Sequence, residues 1–222
     1  MDRPAVTLPP ITTRPGESGL PHIGLVVGPD EMARASLAQA RYHFVRMGAI
    51  MNAPAIRRWN DSGHNDPRRA DLIVELNAHL RGFFWELGAA FDCLLHWVNQ
   101  KHALGIVRPR DVRIDRLRAA ALKLGRGETD LATLIAAFNA DWCFEVREYR
   151  NCAHQALLAV EGLYYEQGDR DSIWVIAPAR RGQDTPGFMP LLTRYGEEMS
   201  GLVDRLVGLT GPGTRPRTPP SP

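Results

Sequence analysis

Residues 68–102 read RRADLIVELNAHLRGFFWELGAAFDCLLHWVNQKH, and their periodicity decides the fold class. Leu72, Leu76, Leu80, Phe83, Leu87, Phe91, Leu94 and Val98 recur at three- and four-residue spacing. On an α-helix that spacing is one continuous apolar stripe, the signature of a core helix. At 1.5 Å per residue the segment spans about 50 Å, and Gly82 and Gly88 are where a bend is expected. Asp66 followed by Pro67 supplies a cap and a proline at the first helical position.

Working outward, the pattern stays helical. Upstream, Asp30 reads as the N-cap of a helix over EMARASLAQARYHFVRMGAIM, residues 31–51. Pro54 stops or kinks it, and AIRRWN continues beyond the break. IGLVVG, residues 23–28, is a short apolar run that suits an edge strand or a packed arm. Downstream, the loop ALGIVRPR leads to a basic amphipathic helix, VRIDRLRAAALKLG, ended by Gly125. Thr129 caps a short helix over DLATLIAAF, and Asn139 starts another from about 140 to 160. The period then changes: AVEGLYYEQ and SIWVIAP read as two strands around GDRD. TPGFMPLLTRYGEEMSGLVDRLVGL closes the fold as a last helix with Leu191, Leu192, Tyr195, Met199, Leu202 and Leu206 inward. The expected fold is an all-α helical bundle with a small β-hairpin before the last helix, one domain over residues 23–209. Residues 1–22 and 210–222, rich in Pro, Thr and Gly, are too poor in apolar side chains to offset their ordering entropy and read as flexible tails.

Composition narrows the function classes. The net charge of +2 does not mark a strongly nucleic-acid-binding chain. Lys101 and Lys123 are the only lysines, and the arginine excess reads as composition bias more than as a phosphate signal. Cys93, Cys143 and Cys152 show neither metal spacing nor a CxxC, so they are expected to be reduced, packed thiols of a cytoplasmic protein. No run of 18 apolar residues occurs, so no membrane partner is expected. A P-loop, a GxGxxG after a strand and a GxSxG are all missing, which argues against nucleotide hydrolases, dinucleotide-dependent oxidoreductases and α/β-hydrolases, and no cofactor is expected.

The chemistry concentrates in EVREYRNCAHQA, residues 145–156. At 100° per residue, Arg147, Arg150, Asn151 and His154 fall within an arc of about 100°, while Trp142, Val146, Tyr149, Ala153 and Ala156 share a different, buried arc. An imidazole can exchange a proton near neutral pH. A guanidinium can hold a phosphate and offset charge on its oxygens. Asn151 can orient either group. Together they suit metal-free phosphodiester cleavage, or otherwise form a solvated helix face.

The run EYRNCAH resembles the signature of HEPN domains (higher eukaryotes and prokaryotes nucleotide-binding), small helical bundles with an Arg, a polar residue and a His on one late helix. FFWELGAAFDCLLHWVN resembles their long core helix, and the likeness extends over roughly residues 30–208. It implies a homodimer in which two Arg/His motifs share a cleft. His154 is then the acid–base residue, Arg147 or Arg150 the phosphate clamp, and Asn151 the polar residue. Three residues separate Arg150 from His154 and six separate Arg147 from it, so either arginine can be the motif's. The implied function is a metal-independent endoribonuclease. The alternative is a non-catalytic nucleotide-binding or protein-interaction bundle of a defence or toxin–antitoxin pair, with an antitoxin or nucleotidyltransferase as partner.

Three further groups complete the reading. Asp92, His96 and Asn99 project from nearly one face of the long helix and are candidates to support His154, or to make polar contacts between helices. Glu75, His79 and Glu86 share a face as well, but the Glu-x-x-His pair of di-iron bundles is missing and no metal is expected. Arg108, Arg110, Arg113 and Arg116 lie in a stretch with a local excess of +5 that can track an RNA backbone, or cover the outer face of a helix that buries Ile114, Leu117, Ala121 and Leu124. Trp59, Trp85, Trp97 and Trp142 read as core anchors.

Overall fold

The computed structural model describes residues 27–54, 67–155, 158–166, 169–176 and 188–208. The expected tails, the AIRRWN segment, Asp66, Trp59 and most of IGLVVG lie outside these residues. Among those described, the chain is mostly helical, with six α-helices: α1 Pro29–Met51, α2 Pro67–Lys101, α3 Ile114–Leu124, α4 Glu128–Phe138, α5 Asp141–His154 and α6 Phe188–Val207. Between α5 and α6, β1 (Ala159–Glu166) and β2 (Asp169–Ile176) pair antiparallel, Ala159 opposite Ile176 and Glu166 opposite Asp169. Strand β2 starts at Asp169, so most of GDRD belongs to the strand.

Helix α2 is the axle. Leu76, Leu80, Phe83, Leu87, Phe91, Leu94 and Val98 of the expected stripe are buried, joined by Phe84, Ala90 and Leu95. Leu72 is partly buried at the end of the stripe. The other five helices and β1 all touch α2. Removing a side chain such as Leu80 or Leu87 is a loss of about 2–5 kcal/mol. Helix α1 runs antiparallel to α2: Arg46 pairs with Glu75 at 2.6 Å, and Phe44, earlier in α1, meets Phe83, later in α2. The start of α1 is tied to the end of α6, where the Arg34 guanidinium donates to the Gly208 carbonyl. Tyr195 of α6 is fully buried, and its hydroxyl donates to Glu145 Oε2 at 2.6 Å.

Helix α2 is unbroken through both glycines. They admit neighbours instead of bending the chain. A Cβ on Gly82 meets the His43 ring at 2.6 Å, and one on Gly88 meets Arg150 Cδ at 2.5 Å.

Several helix ends differ from expectation. Gly28 is the N-cap of α1 and Pro29 opens it, so Asp30 lies in the first turn, where its charge favours the helix N-terminus. Gly127, not Thr129, caps α4. Asn139 ends α4, and Ala140 is the N-cap of α5. Most consequentially, α5 stops at His154 and not near 160, which places the imidazole at its last residue. Gly125 ends α3 in the left-handed region, as its sequence position suggested. Leu124 is exposed and Ile114 half-buried, so α3 buries chiefly Leu117 and Ala121.

The turn between α2 and α3 is held by side chains. Asn99 Nδ2 donates to the Ile106 carbonyl at 2.9 Å, and the Ile106 N–H returns a bond to Asn99 Oδ1. Asp130 Oδ2 on α4 accepts from Lys101 at 2.7 Å and pairs with His102 at 2.8 Å. Burial alone pushes the Asp130 carboxyl up, but the bonds from Lys101 and His102 outweigh it and hold it below its ordinary 3.8. The unfolded chain therefore takes up this proton first as pH falls. The stabilisation is complete above the ordinary carboxyl value and is lost as pH drops through the folded one. Asp130→Asn is expected to lower Tm by about 2 °C at pH 7. Thermal melts of the two chains should converge as pH falls through the lowered carboxyl value of the folded chain.

Candidate functional site

A recess lies between α2, the start of α3, α4 and α5. Its volume is about 670 Å³, and its floor is apolar: Leu87, Phe91, Leu95, Val112, Phe138 and Met199. Four guanidiniums line it, from Arg113, Arg118, Arg147 and Arg150, against the two carboxylates of Asp92 and Asp115, which leaves a lining charge of +2. The recess is thus a mostly apolar bowl with a cationic rim, the type of surface that receives a ligand with an apolar body and an anionic group.

Helix α5 builds the rim because Trp142, Tyr149 and Cys152 bury its other face, while Cys143 and Val146 face the recess beside Arg147 and Arg150. Arg147 is fixed by the end of α4. Its Cζ lies 3.7 Å from the Phe138 ring centroid, and Nη2 donates to the Phe138 carbonyl at 3.3 Å. That carbonyl closes α4 and has no partner within its own helix, so the guanidinium serves it as a C-terminal cap. Arg147 Nε is buried and has no hydrogen-bond acceptor among the described residues. A buried N–H of this kind is a cost of about 1–3 kcal/mol until an acceptor meets it.

Arg150 is placed differently. It crosses α2 in the notch at Gly88 and pairs with Asp92 at 3.1 Å. On its other side its guanidinium lies 5.4 Å from the Trp85 ring centroid. Trp85 is not a core anchor: it is 47% exposed, and the His154 ring stacks on it at 6.0 Å with 25° between planes. His154 is exposed and does not line the recess; Asn151 is exposed too. The four residues of the polar arc therefore divide. Arg147 and Arg150 face the recess, His154 sits outside it against Trp85, and Arg150 is the shared member.

The supporting residues divide as well. Asp92 reaches the motif helix. Asn99 braces the α2–α3 turn, and His96 is half-buried away from the recess. Arg108 and Arg116 line a separate groove of about 470 Å³ together with Lys123 and Asp111. Arg113 belongs to the main recess and pairs with Asp115 at 3.3 Å, while Arg110 is exposed outside both. Arg113 occupies the extended N-cap position of α3, off the helical wheel that governs Arg116. The basic stretch is thus spread over two recesses. Cys143 lines the main one, but burial pushes its thiol up to about 11 against the pull of Arg147, so it stays protonated and is no nucleophile at neutral pH.

A second polar cluster joins α1 to α2. His43 Nδ1 lies 2.9 Å from His79 Nδ1, and the edge of Tyr42 meets both rings. Burial and then His79 hold the His43 imidazole below its ordinary 6.5, with Glu86 pulling the other way. His43 gave no signal in the sequence, since its partner is 36 residues away. Gly88 did carry one: a glycine within an otherwise strong helix is a loss of about 1 kcal/mol that calls for a reason.

No model of a protein family matches the chain, and neither curated proteins nor solved structures match it. Fold and geometry define it as a helical bundle with a cationic, apolar-floored recess. No helix among the described residues is long and apolar enough to cross a membrane.

The Gly88 notch is what allows Arg150 to reach Asp92. A double-mutant cycle on Asp92 and Arg150, read by thermal or denaturant unfolding, is expected to give a coupling of up to about 1 kcal/mol. The same cycle in a Gly88→Ala background is expected to give none.

Proposed function

We propose that the chain is a HEPN-like bundle working as a binding module for a nucleotide-like ligand, an anionic group joined to a flat apolar body. One observation carries this reading: Arg147, with a buried N–H lacking an acceptor, and Arg150 stand together on the wall of the apolar-floored recess. A phosphate oxygen there accepts from both guanidiniums in charge-assisted bonds. The base or another flat body rests on Phe91, Leu95 and Phe138. About 670 Å³ is within the usual range of about 300–1,000 Å³ for small-molecule sites. The ligand competes with Asp92 for Arg150, which favours a dianion over a monoanion.

A second reading, endoribonuclease, has its own support. His154 and Arg150 lie against the same exposed indole, and the HEPN resemblance implies that two copies meet at this motif. Pairing supplies a second imidazole, so that one acts as base and the other as acid. RNA, a second copy of the chain, and an antitoxin or nucleotidyltransferase are partners under these proposals.

Calorimetric titration with adenosine monophosphate separates the readings. The intact chain is expected to bind it, and Arg150→Met to bind at least about 10-fold more weakly, the value of one lost charge-assisted hydrogen bond. Absence of binding, or equal binding by Arg150→Met, overturns the module. Incubation with mixed RNA in EDTA tests the alternative: cleavage by the intact chain and not by His154→Ala establishes the nuclease.

A further inference from the structure

We propose that the ligand of the recess carries two separated anionic groups, as a nucleotide phosphorylated at both ends of its sugar does, and that Arg113 and Arg118 of α3 receive the second of them. This rests on the binding reading given above and narrows its ligand class. The four guanidiniums of the recess sort by helix. Arg147 and Arg150 belong to α5, whereas Arg118 lies within α3 and Arg113 is its N-cap. Helices α3 and α5 each pack on α2 and on α4, and the recess opens among the four. The guanidiniums therefore form two pairs on different walls and not one cluster.

The two pairs are built alike. In each, one arginine has a carboxylate partner: Arg150 with Asp92 at 3.1 Å, and Arg113 with Asp115 at 3.3 Å. In each, the other arginine has no carboxylate partner among the described residues: Arg147 is bonded to the Phe138 carbonyl and keeps a buried N–H without an acceptor, and Arg118 makes no ion pair there. Counted with its carboxylate, each pair has one positive charge in excess, so the lining charge of +2 is divided evenly between the walls. Apart from Asn139 and the protonated Cys143, the rest of the lining is apolar. An anionic group thus finds a counter-charge at the two pairs and nowhere else in the recess. Phosphates joined end to end crowd a single pair, whereas phosphates set apart by a sugar give each pair one. Asp115 and Arg118 stand one turn apart on α3 and so share a face, and Arg113 joins them from the extended N-cap, at φ −136° and ψ 158°. Arg113 and Arg118 are exposed while Arg147 and Arg150 are half-buried, which seats the first phosphate at α5 and the second nearer solvent at α3.

Calorimetric titration of the full chain with adenosine monophosphate, adenosine diphosphate and adenosine 3′,5′-bisphosphate tests this. The bisphosphate is expected to bind at least about 10-fold more tightly than either of the others, the value of one further charge-assisted hydrogen bond. In Arg118→Met, a change at an exposed position that leaves the core intact, the bisphosphate is expected to lose that advantage and to bind like the monophosphate. Arg126→Met removes the same charge from an exposed position outside the recess and is expected to keep the full advantage. If the monophosphate binds and the bisphosphate gains nothing over it, the second anion position is overturned while the binding module stands. The same holds if the gain survives Arg118→Met, if Arg126→Met abolishes it equally, or if the diphosphate gains as much. If none of the three binds, the module itself falls and this inference with it.

Discussion

The fold depends on the burial of one broad apolar face of a single helix. Helix α2 carries Leu76, Leu80, Phe83, Phe84, Leu87, Ala90, Phe91, Leu94, Leu95 and Val98 in the core, and the other five helices among the described residues rest against it. Burial on that scale holds together a bundle that includes short helices: α3 and α4 have 11 residues each, below the length at which an isolated helix is stable in water. The same helix accepts two glycines, each a sacrifice of about 1 kcal/mol of helix propensity. Both sit where a polar side chain must cross close to the backbone: His43 at Gly82, Arg150 at Gly88. The core is strong enough to carry these notches, and the notches give a mostly apolar helix its polar neighbours.

The cationic rim follows from local needs of the fold as much as from any ligand. Arg147 closes the C-terminus of α4 through the Phe138 carbonyl and lies flat on the Phe138 ring. Arg150 is neutralised in part by Asp92. Each guanidinium is thus held in place before a ligand arrives, which reduces the side-chain entropy that binding must overcome. Each also has a competitor. The bond to Phe138 engages only one face of the Arg147 fork, and the buried Nε is left over. The Asp92–Arg150 pair is half-exposed and weak in solvent. An anion bearing more than one charge gains from both guanidiniums, against an apolar floor that lowers the local dielectric and strengthens the attraction.

How much of this could be read from residues alone depends on the range of the interaction. The α2 stripe was legible because burial repeats every three or four positions along one segment. The stop of α3 at Gly125 was legible because a left-handed residue strongly favours glycine. Cap positions were not: Asp30, Thr129 and Asn139 have good capping side chains, yet Gly28, Gly127 and Ala140 hold the caps. Gly28 and Gly127 leave the helical region ahead of the expected caps, whereas Asn139 is still helical at the end of α4 and Ala140 after it takes the extended cap conformation. For the site, the helical wheel placed Arg147, Arg150, Asn151 and His154 on one arc, and an arc says nothing of what stands opposite. The end of α4 meets Arg147, α2 meets Arg150 at its glycine, and Trp85 meets His154. Trp85 itself was misread because an indole in an apolar run looks like core, whereas its position is off the buried stripe.

Arg150 is the point where binding and chemistry meet or part. It belongs to the recess and, through Trp85, to the neighbourhood of His154. A ligand drawn into the recess holds Arg150 on the Asp92 side, away from the imidazole. An extended polyanion laid across Trp85 instead engages Arg150 from the outside, with the exposed His154 beside it. Under the two proposed readings one guanidinium cannot serve both fully, so occupation of the recess would weaken whatever binds over the indole, and by linkage the reverse would hold to the same extent. The imidazole stands at the last residue of α5, outside the recess, and this is what keeps the two proposed anion positions distinct within one short helix.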